Sequence, residues 1–570
     1  MTRWLIAAVG SLALAATAYA GSAGAVSAQA GGPGLADLVQ AGNDAAALKM
    51  IDAGANVNVP QGDGTTALDW ATYRLDAPLV KALLKHGANP NLVSELGSDP
   101  LDEAVKAANL ELTKLLLRAH AEVDEPNSYG QTALMLAVRT GVLPIVKLLV
   151  RHGANVNARV RWRGQTALMW AAAQSYPDVV RYLVKHGANV NTRERFNDWL
   201  DTATQITSEP RAQYRPEGGL TPLLYAVRAG CLECVKAIVK GGADVSRPTP
   251  EGVTPLIASI DNRHFDIAKY LLQHGANPNT WDWYGRTPLY AAVDMHTYTD
   301  FRGLTPTPAE LTQSLVKDRN NTAALEIIKM LLADGVDPNA QLDLHRPGRG
   351  GNSGRFRDDL LRTGATPLLR AAMSHDNAVV ELLLQHGARV DLPNVNGVTP
   401  LIAAAGMGFS GPTMTPVPDH RGDYAPGAQQ RAISTIALLL KAGANINARV
   451  TDTSSHTGRI ARHSSMTQRQ GETALYGAIH WGWTQVVAYL VQHGAQVNVK
   501  DDLGRTPLVA ATHGVGIRGF KPVKAIITLI SQAAAQQVAA AGTAAPALPA
   551  HAVAPAQPAH AETAALTAPR

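Results

Sequence analysis

The sequence predicts a mostly α, solenoid fold of about twelve helix–turn–helix repeats with finger loops and several long insertions. Three observations predict it. A glycine closes each unit, at Gly54, Gly87, Gly153, Gly187, Gly242, Gly275, Gly335, Gly387, Gly443 and Gly494, with His120 in the slot between Gly87 and Gly153. The first spacings are 33, 33, 33 and 34 residues. A Thr-Ala-Leu or Thr-Pro-Leu signal opens most units. One helix pair cannot bury both its apolar faces, so such a unit stacks on neighbours.

The segment 130–159 shows why each element forms. Thr132 precedes an apolar run and is expected to N-cap a helix through its hydroxyl. Leu134, Ala137 and Val138 recur at helical spacing and Gly141 ends the run. In the second helix Ile145, Val146, Leu148 and Leu149 form the apolar stripe, with Lys147 and Arg151 toward water. Arg151 and His152 suit the negative helix end, and Gly153 takes the left-handed position after it. Asn155 and Asn157 lead into the next unit.

Taken in order, residues 1–30 read as a signal peptide. Arg3 begins it, an apolar run follows from Trp4 to Ala16, and Ala18-Tyr19-Ala20 and Ala28-Gln29-Ala30 are both small-x-small cleavage sites. The run is too short to span a bilayer, and no cysteine near it offers a lipid anchor. The predicted location is periplasmic or extracellular, with no membrane insertion after cleavage. Residues 31–535 hold the solenoid. Its first repeat, about 35–59, lacks the Thr-Pro-Leu start, as terminal repeats do. Later repeats open at 65–71, 99–104, 132–137, 166–171, 221–226, 254–259, 287–292, 366–371, 399–404, 473–478 and 506–511. Proline after the N-cap pre-sets φ and forfeits no hydrogen bond.

Beyond Gly187 the spacings become 55, 33, 60, 52, 56 and 51, so insertions are expected. Those at about 194–217, 342–363 and 451–470 fall between repeats. Those at about 297–321 and 406–430 fall between the two helices of one repeat. Thr307-Pro308-Ala309-Glu310 predicts a short capped helix in one of them. Arg346, Arg349, Arg355, Arg357, Arg362, Arg459, Arg462 and Arg469 make two insertions basic and suited to an acidic partner. Such long loops suggest that function concentrates in repeats five to eleven. Residues 536–570, rich in Ala, Pro, Gln and Thr, read as a disordered tail.

The pattern resembles the ankyrin repeat, whose period is 33 residues, over about residues 35–535. The resemblance implies a non-catalytic protein–protein interaction scaffold. The family start is Thr-Pro-Leu-His, but here the His slot holds Asp69, Asp102, Met135, Met169, Leu224, Ile257, Tyr290, Leu369, Ile402, Tyr476 and Val509. Hydrogen bonds made between repeats by that histidine are therefore expected to be absent or replaced by apolar contact. The resemblance also places Trp70, Trp170 and Tyr225, one residue after the His slot, on the concave side. Tyr129, Trp162, Trp281, Trp283 and Tyr284 fall at finger tips. Trp162, Trp170, Tyr225, Trp281 and Trp283 are expected to line one strip. These eight aromatics are the candidate partner-binding residues.

Other chemistry is weaker. The net charge of +5 is spread over many repeats and argues against nucleic acid. His86, His152, His186, His274, His386 and His493 all precede the repeat glycine and read as helix-end residues. His456 and His463 lack a third metal ligand. Cys231 and Cys234 form a Cys-x-x-Cys outside any βαβ context, so Cys234 is expected to be a core thiol and Cys231 the more exposed, with an adventitious disulfide after export as the alternative. No metalloprotease, serine-hydrolase, phosphate-loop or dinucleotide motif is present. The expectation is a monomer without catalytic residues, metal or cofactor, binding a protein outside the cytoplasm. A secreted effector against a host or rival protein, or an enzyme sited in the inserted loops, are the alternatives.

Overall fold

The computed structural model describes residues 33–95, 97, 99–197, 217–296, 321–343, 364–406, 427–451, 469–514 and 522–543. The expected signal peptide and most of each insertion, with Thr307 to Glu310 and every insertion arginine named above except Arg469, lie outside the described residues. The chain divides into two compact units, Met1–Trp162 and Arg163–Arg570.

The first unit holds four helix pairs: α1 (Leu35–Gln40) with α2 (Asp44–Asp52), α3 (Ala67–Tyr73) with α4 (Ala77–Lys85), α5 (Pro100–Lys106) with α6 (Leu110–Arg118), and α7 (Ala133–Thr140) with α8 (Leu143–Arg151). First helices pack on first helices, α1 on α3, α3 on α5 and α5 on α7, and second helices follow suit. The apolar stripes meet between them: Leu68, Leu83, Leu101, Leu116, Leu134 and Leu149 are buried. Leu148, expected in the stripe, stays half-exposed.

Among the described residues the second unit holds eight pairs. They are α9 (Ala167–Ala173) with α10 (Pro177–Lys185), α11 (Pro222–Ala229) with α12 (Leu232–Lys240), α13 (Pro255–Asp261) with α14 (Phe265–Gln273), and α15 (Pro288–His296) with α16 (Asn321–Ala333). Then come α17 (Pro367–Met373) with α18 (Asn377–Gln385), α19 (Pro400–Ala404) with α20 (Ala428–Lys441), α21 (Ala474–Trp481) with α22 (Thr484–Gln492), and α23 (Pro507–His513) with α24 (Lys524–Thr543). The second helices that follow the inter-helix insertions, α16 and α20, have 13 and 14 residues against nine in most others. A two-residue antiparallel pair, β1 (Phe196–Asn197) with β2 (Glu217–Gly218), closes the base of another insertion. Helix α24 runs to Thr543, so the helical array extends past the tail boundary expected at 536.

Caps set the helix starts. The hydroxyls of Thr66, Thr166, Thr221, Thr254, Thr366, Thr399 and Thr506 accept from the backbone N–H three residues on. Thr132 is the exception to its own expectation: its backbone is extended as an N-cap, yet its buried hydroxyl makes no hydrogen bond. At helix ends the histidines behave as helix-end residues. The Nδ1 atoms of His86, His186, His274, His386 and His493 lie 2.8–2.9 Å from the carbonyl four residues back. His120 takes the left-handed φ of +64° that its glycine slot demands.

The bonds between repeats correct the expectation drawn from the missing histidine. At the His slot itself Asp102 accepts from Asn127 Nδ2 at 3.3 Å and the Tyr476 hydroxyl donates to the Arg505 carbonyl at 2.6 Å. A second set of bonds comes from the last Asn of the turn between repeats. Asn58 donates to the Gly87 carbonyl at 2.9 Å and accepts from the Asn89 amide at 2.7 Å. In the second unit Asn191, Asn339 and Asn447 make the same pair of bonds to Gly242 and Asp244, Gly387 and Arg389, and Gly494 and Gln496. A polar ladder thus satisfies backbone groups that stacking would otherwise strand.

Candidate functional site

The eight candidate aromatics resolve into two kinds, tethered rings on the first helices and rings at finger tips. In the first unit Trp70 is half-buried on α3, and its indole N–H donates to Gln61 Oε1 at 2.7 Å. Gln61 in turn donates to Asp37 Oδ1 at 2.6 Å and Gln40 Oε1 at 2.8 Å. The Gln61 bond, with the Gly34 amide, holds the Asp37 carboxyl below its ordinary value. The edge of Tyr73 meets Trp70 at 5.8 Å between centroids.

The second unit repeats this device. Trp170 donates to Gln165 Oε1 at 3.1 Å, and Gln165 Nε2 donates to Glu194 Oε2 at 3.1 Å and to the Tyr225 hydroxyl oxygen. The Tyr225 hydroxyl donates to the same Glu194 oxygen at 2.6 Å. Burial, then the bond to Glu194 and its charge, raise the Tyr225 phenol above its ordinary range. Trp170 and Tyr225 were expected as exposed contact residues. They are half-buried instead, with their polar tips spent on the protein, because Gln165 and Glu194 reach the same face.

The finger tips differ. In the first unit Tyr129 is 74% and Trp162 82% exposed. Asn127 holds the Tyr129 finger by accepting from the amides of Tyr129 and Gln131, each at 3.0 Å. Beside it lies an open cleft of about 420 Å³ lined by Lys106, Asn127, Tyr129, Gln131 and Arg139. In the second unit Trp281 is 64% and Trp283 38% exposed, while Tyr284 is buried. Tyr284 is therefore corrected from contact residue to core: it follows Trp283 directly, and the turn sends consecutive side chains to opposite sides.

That finger is braced from below. Asp282 Oδ1 accepts from the amides of Tyr284 and Arg286, each at 3.0 Å. The buried Arg286 guanidinium donates to Asp282 at 2.7 Å and takes Asp261 bidentately at 3.1 and 2.9 Å. Burial works against its charge, but the two carboxylates outweigh that and raise its ionisation further. The Trp283 amide also donates to the Glu251 carbonyl at 2.7 Å on the preceding finger. Trp281 and Trp283 are thus presented by a backbone with little freedom to lose, which lowers the entropy cost of contact.

Sequence reasoning missed a second polar and aromatic cluster, where the ends of α15 and α19 meet the turns between α17 and α18 and between α21 and α22. His296 Nδ1 lies 2.5 Å from Asp376, which caps α18, and Arg370 donates to Asp294 at 2.8 Å. Trp481 and Trp483 stack at 5.6 Å, Trp481 donates to the Gly406 carbonyl at 2.7 Å, and His375 sits 5.9 Å from Trp483. Burial, then the charge of Arg431, push His375 down to about 4. His375 Nδ1 and Trp483 Nε1 are enclosed without a hydrogen-bond partner. Crowding of Trp and His beside the insertions was the available signal. Arg469, expected among the basic side chains offered to an acidic partner, is buried.

Cys231 and Cys234 follow the alternative reading, with Cys231 the more exposed. They form a disulfide, so Cys234 is buried but is not a free core thiol. Among the described residues no group of three His, Cys, Asp or Glu is placed to hold a metal, and no helix is long and apolar enough to cross a membrane.

Two family descriptions match the chain. Ankyrin repeats (3 copies) match residues 35–127, 101–194, 223–310, 319–411 and 427–532. Ankyrin repeats (many copies) match residues 168–237.

Proposed function

We infer the function from one premise: matched over well over half its length, the chain belongs to the ankyrin repeat family. Ankyrin repeats generally mediate protein–protein interaction. The role we propose for this chain is a non-catalytic scaffold that holds a protein partner outside the cytoplasm. Export rests on the signal-like residues 1–30. The observation that carries the binding reading is the braced finger bearing Trp281 and Trp283. Exposed tryptophans on a pre-organised backbone are the anchors that interfaces favour. Tyr129 and Trp162 offer the same chemistry in the first unit.

The test places a photo-crosslinking amino acid at position 281, 162 or 186 of the full chain in its native cells. Position 186 is a helix-end histidine and serves as the control. A specific protein adduct at 281 or 162, absent at 186, is the expected result. The pair Trp281→Ala and Trp283→Ala should then weaken capture by about 2 kcal/mol or more, roughly thirtyfold. Folding stability should move by only about 0.5 kcal/mol per site. Equal crosslinking at all three positions would remove the reading. N-terminal sequencing of the mature protein checks export, and an intact Met1 would refute it.

A further inference from the structure

We propose that Cys231 and Cys234 form a thiol–disulfide exchange site, with Cys231 the sulfur that meets external thiols and Cys234 the buried sulfur that resolves the mixed disulfide. The argument starts from repeat position. Cys231 is the N-cap of α12, and its Sγ accepts from the Cys234 backbone N–H at 3.2 Å. In three other repeats the equivalent cap is an oxygen acceptor: Asp76 takes the Leu79 amide at 2.9 Å, Asn109 the Leu112 amide at 3.1 Å, and Asp376 the Val379 amide at 3.3 Å. Val142, Tyr176, His264 and Trp483 fill the slot without capping. Cys231 thus places an accepting sulfur at the positive end of a nine-residue helix, where negative charge is stabilised. A thiolate at Cys231 inherits that stabilisation.

Cys234 has the opposite surroundings. Its slot holds Leu79, Leu112, Ile145, Val179, Ile267, Val379 and Val486 in other repeats, and all are buried. Cys234 is wholly buried while Cys231 is half-exposed. Those other repeats form the same helix without a disulfide, and the loop closed here spans only three positions. A cross-link this short constrains the unfolded chain little, so structure alone does not require it. Reduced Cys234 would pack as a small apolar thiol. Both redox states therefore suit the fold, and the exposed sulfur is the one whose thiolate the fold favours.

The exchange balances. An incoming thiolate attacks Cys231 Sγ, the Cys231–Cys234 bond breaks, and Cys234 leaves as a thiolate that takes a proton. A second thiol on the incoming molecule, or a second molecule, attacks the sulfur bonded to Cys231 and releases the Cys231 thiolate. Once the Cys231 thiolate takes a proton, the protein disulfide has gained two electrons and two protons, and two external thiols have become one disulfide. The reverse sequence oxidises the pair at the expense of an external disulfide. This site is independent of the finger tryptophans.

The test uses the full chain, reduced and freed of reductant. Iodoacetamide at pH 7 should alkylate native Cys231 at least fivefold faster than the urea-unfolded chain, and native Cys234 at least tenfold slower. Oxidised glutathione should leave a stable mixed disulfide on Cys231 in Cys234→Ala. In the wild type the same reagent should yield the internal disulfide with glutathione released. The thermal transition should persist in the reduced protein. Cys231 reacting no faster than in the unfolded chain would overturn the proposal, as would glutathione left on the wild type. Loss of the thermal transition on reduction would show a structural staple and overturn it equally.

Discussion

The two units hold their most buried aspartates in opposite ways. In the first, Asp69 and Asp102 occupy the vacant His slot of α3 and α5 and are 7% and 1% exposed. Each leaves its Oδ1 without a hydrogen bond. Neither has a cation at ion-pair distance, since Lys106 pairs with Glu103 at 3.0 Å. Burial therefore pushes Asp69 up to about 6 and Asp102 up to about 7, with Asp99 and Glu103 adding repulsion. In the second unit Asp282, Asp294 and Asp501, all 3% exposed, meet Arg286, Arg370 and Arg505. The aspartates of the first unit are answered by a proton and these three of the second by a guanidinium, while Glu194 is held by the neutral donors Gln165, Tyr225 and the Leu220 amide. The first unit should therefore lose stability as pH rises.

The largest expected effect breaks the second answer. Arg286→Met leaves Asp282 and Asp261 without their shared cation and should destabilise the surrounding repeats by about 3–5 kcal/mol. Urea denaturation followed by hydrogen exchange over α13 to α15 checks it. A loss under 1 kcal/mol would mean the carboxylates reach water when the guanidinium goes.

Next in size is the first answer. Between about pH 4 and pH 7 the unfolded chain has lost the protons of Asp69 and Asp102 while the folded chain retains them. The folded state binds more protons, so stability falls as pH rises through this window. Asp102→Asn should remove much of that loss and stabilise the first unit by about 2–4 kcal/mol at pH 8, with little change at pH 4. Denaturation of wild type and variant at the two pH values measures it, and equal effects at both would refute the linkage.

His375 supplies the acid side of the second unit. Its ring is held neutral in the fold down to about pH 4, whereas the unfolded chain protonates near 6.5. Here the unfolded state binds more protons, so stability is present above 6.5 and is lost as pH falls toward 4. From pH 7 to pH 5 the second unit should lose about 1–2 kcal/mol, and His375→Gln should flatten the trend. Hydrogen exchange over α17 to α22, corrected for intrinsic rates, is the measurement. A flat wild-type profile would show that the ring is solvated.

The smallest expected effect applies to both units alike and serves as a control. Leu75 and Arg263 hold φ of +58° and +60° at the turn where other repeats place Gly141 or Gly230. Leu75→Gly and Arg263→Gly should each stabilise by about 1 kcal/mol, independent of pH. A pH-dependent gain would mean that the backbone is not the source.

The sequence by itself determined the array. Helix periodicity, threonine caps, terminal glycines and a 33-residue period are local or strictly repeating, so one copy explains the rest. It also determined where regularity stops, at the insertions after Asn191. Tertiary structure decided what the variable side chains do. Tyr225 looks like Trp281 in a list of aromatics, but Glu194, 31 residues away, claims its hydroxyl. Trp481 is tied to the Gly406 carbonyl 75 residues away, and Arg370 to Asp294 at a separation of 76. Trp283 and Tyr284 are adjacent in the chain and part company at one turn. The physical reason is range. A helix is specified within four residues, whereas exposure and protonation depend on which side chains the neighbouring repeats bring to the same few ångströms.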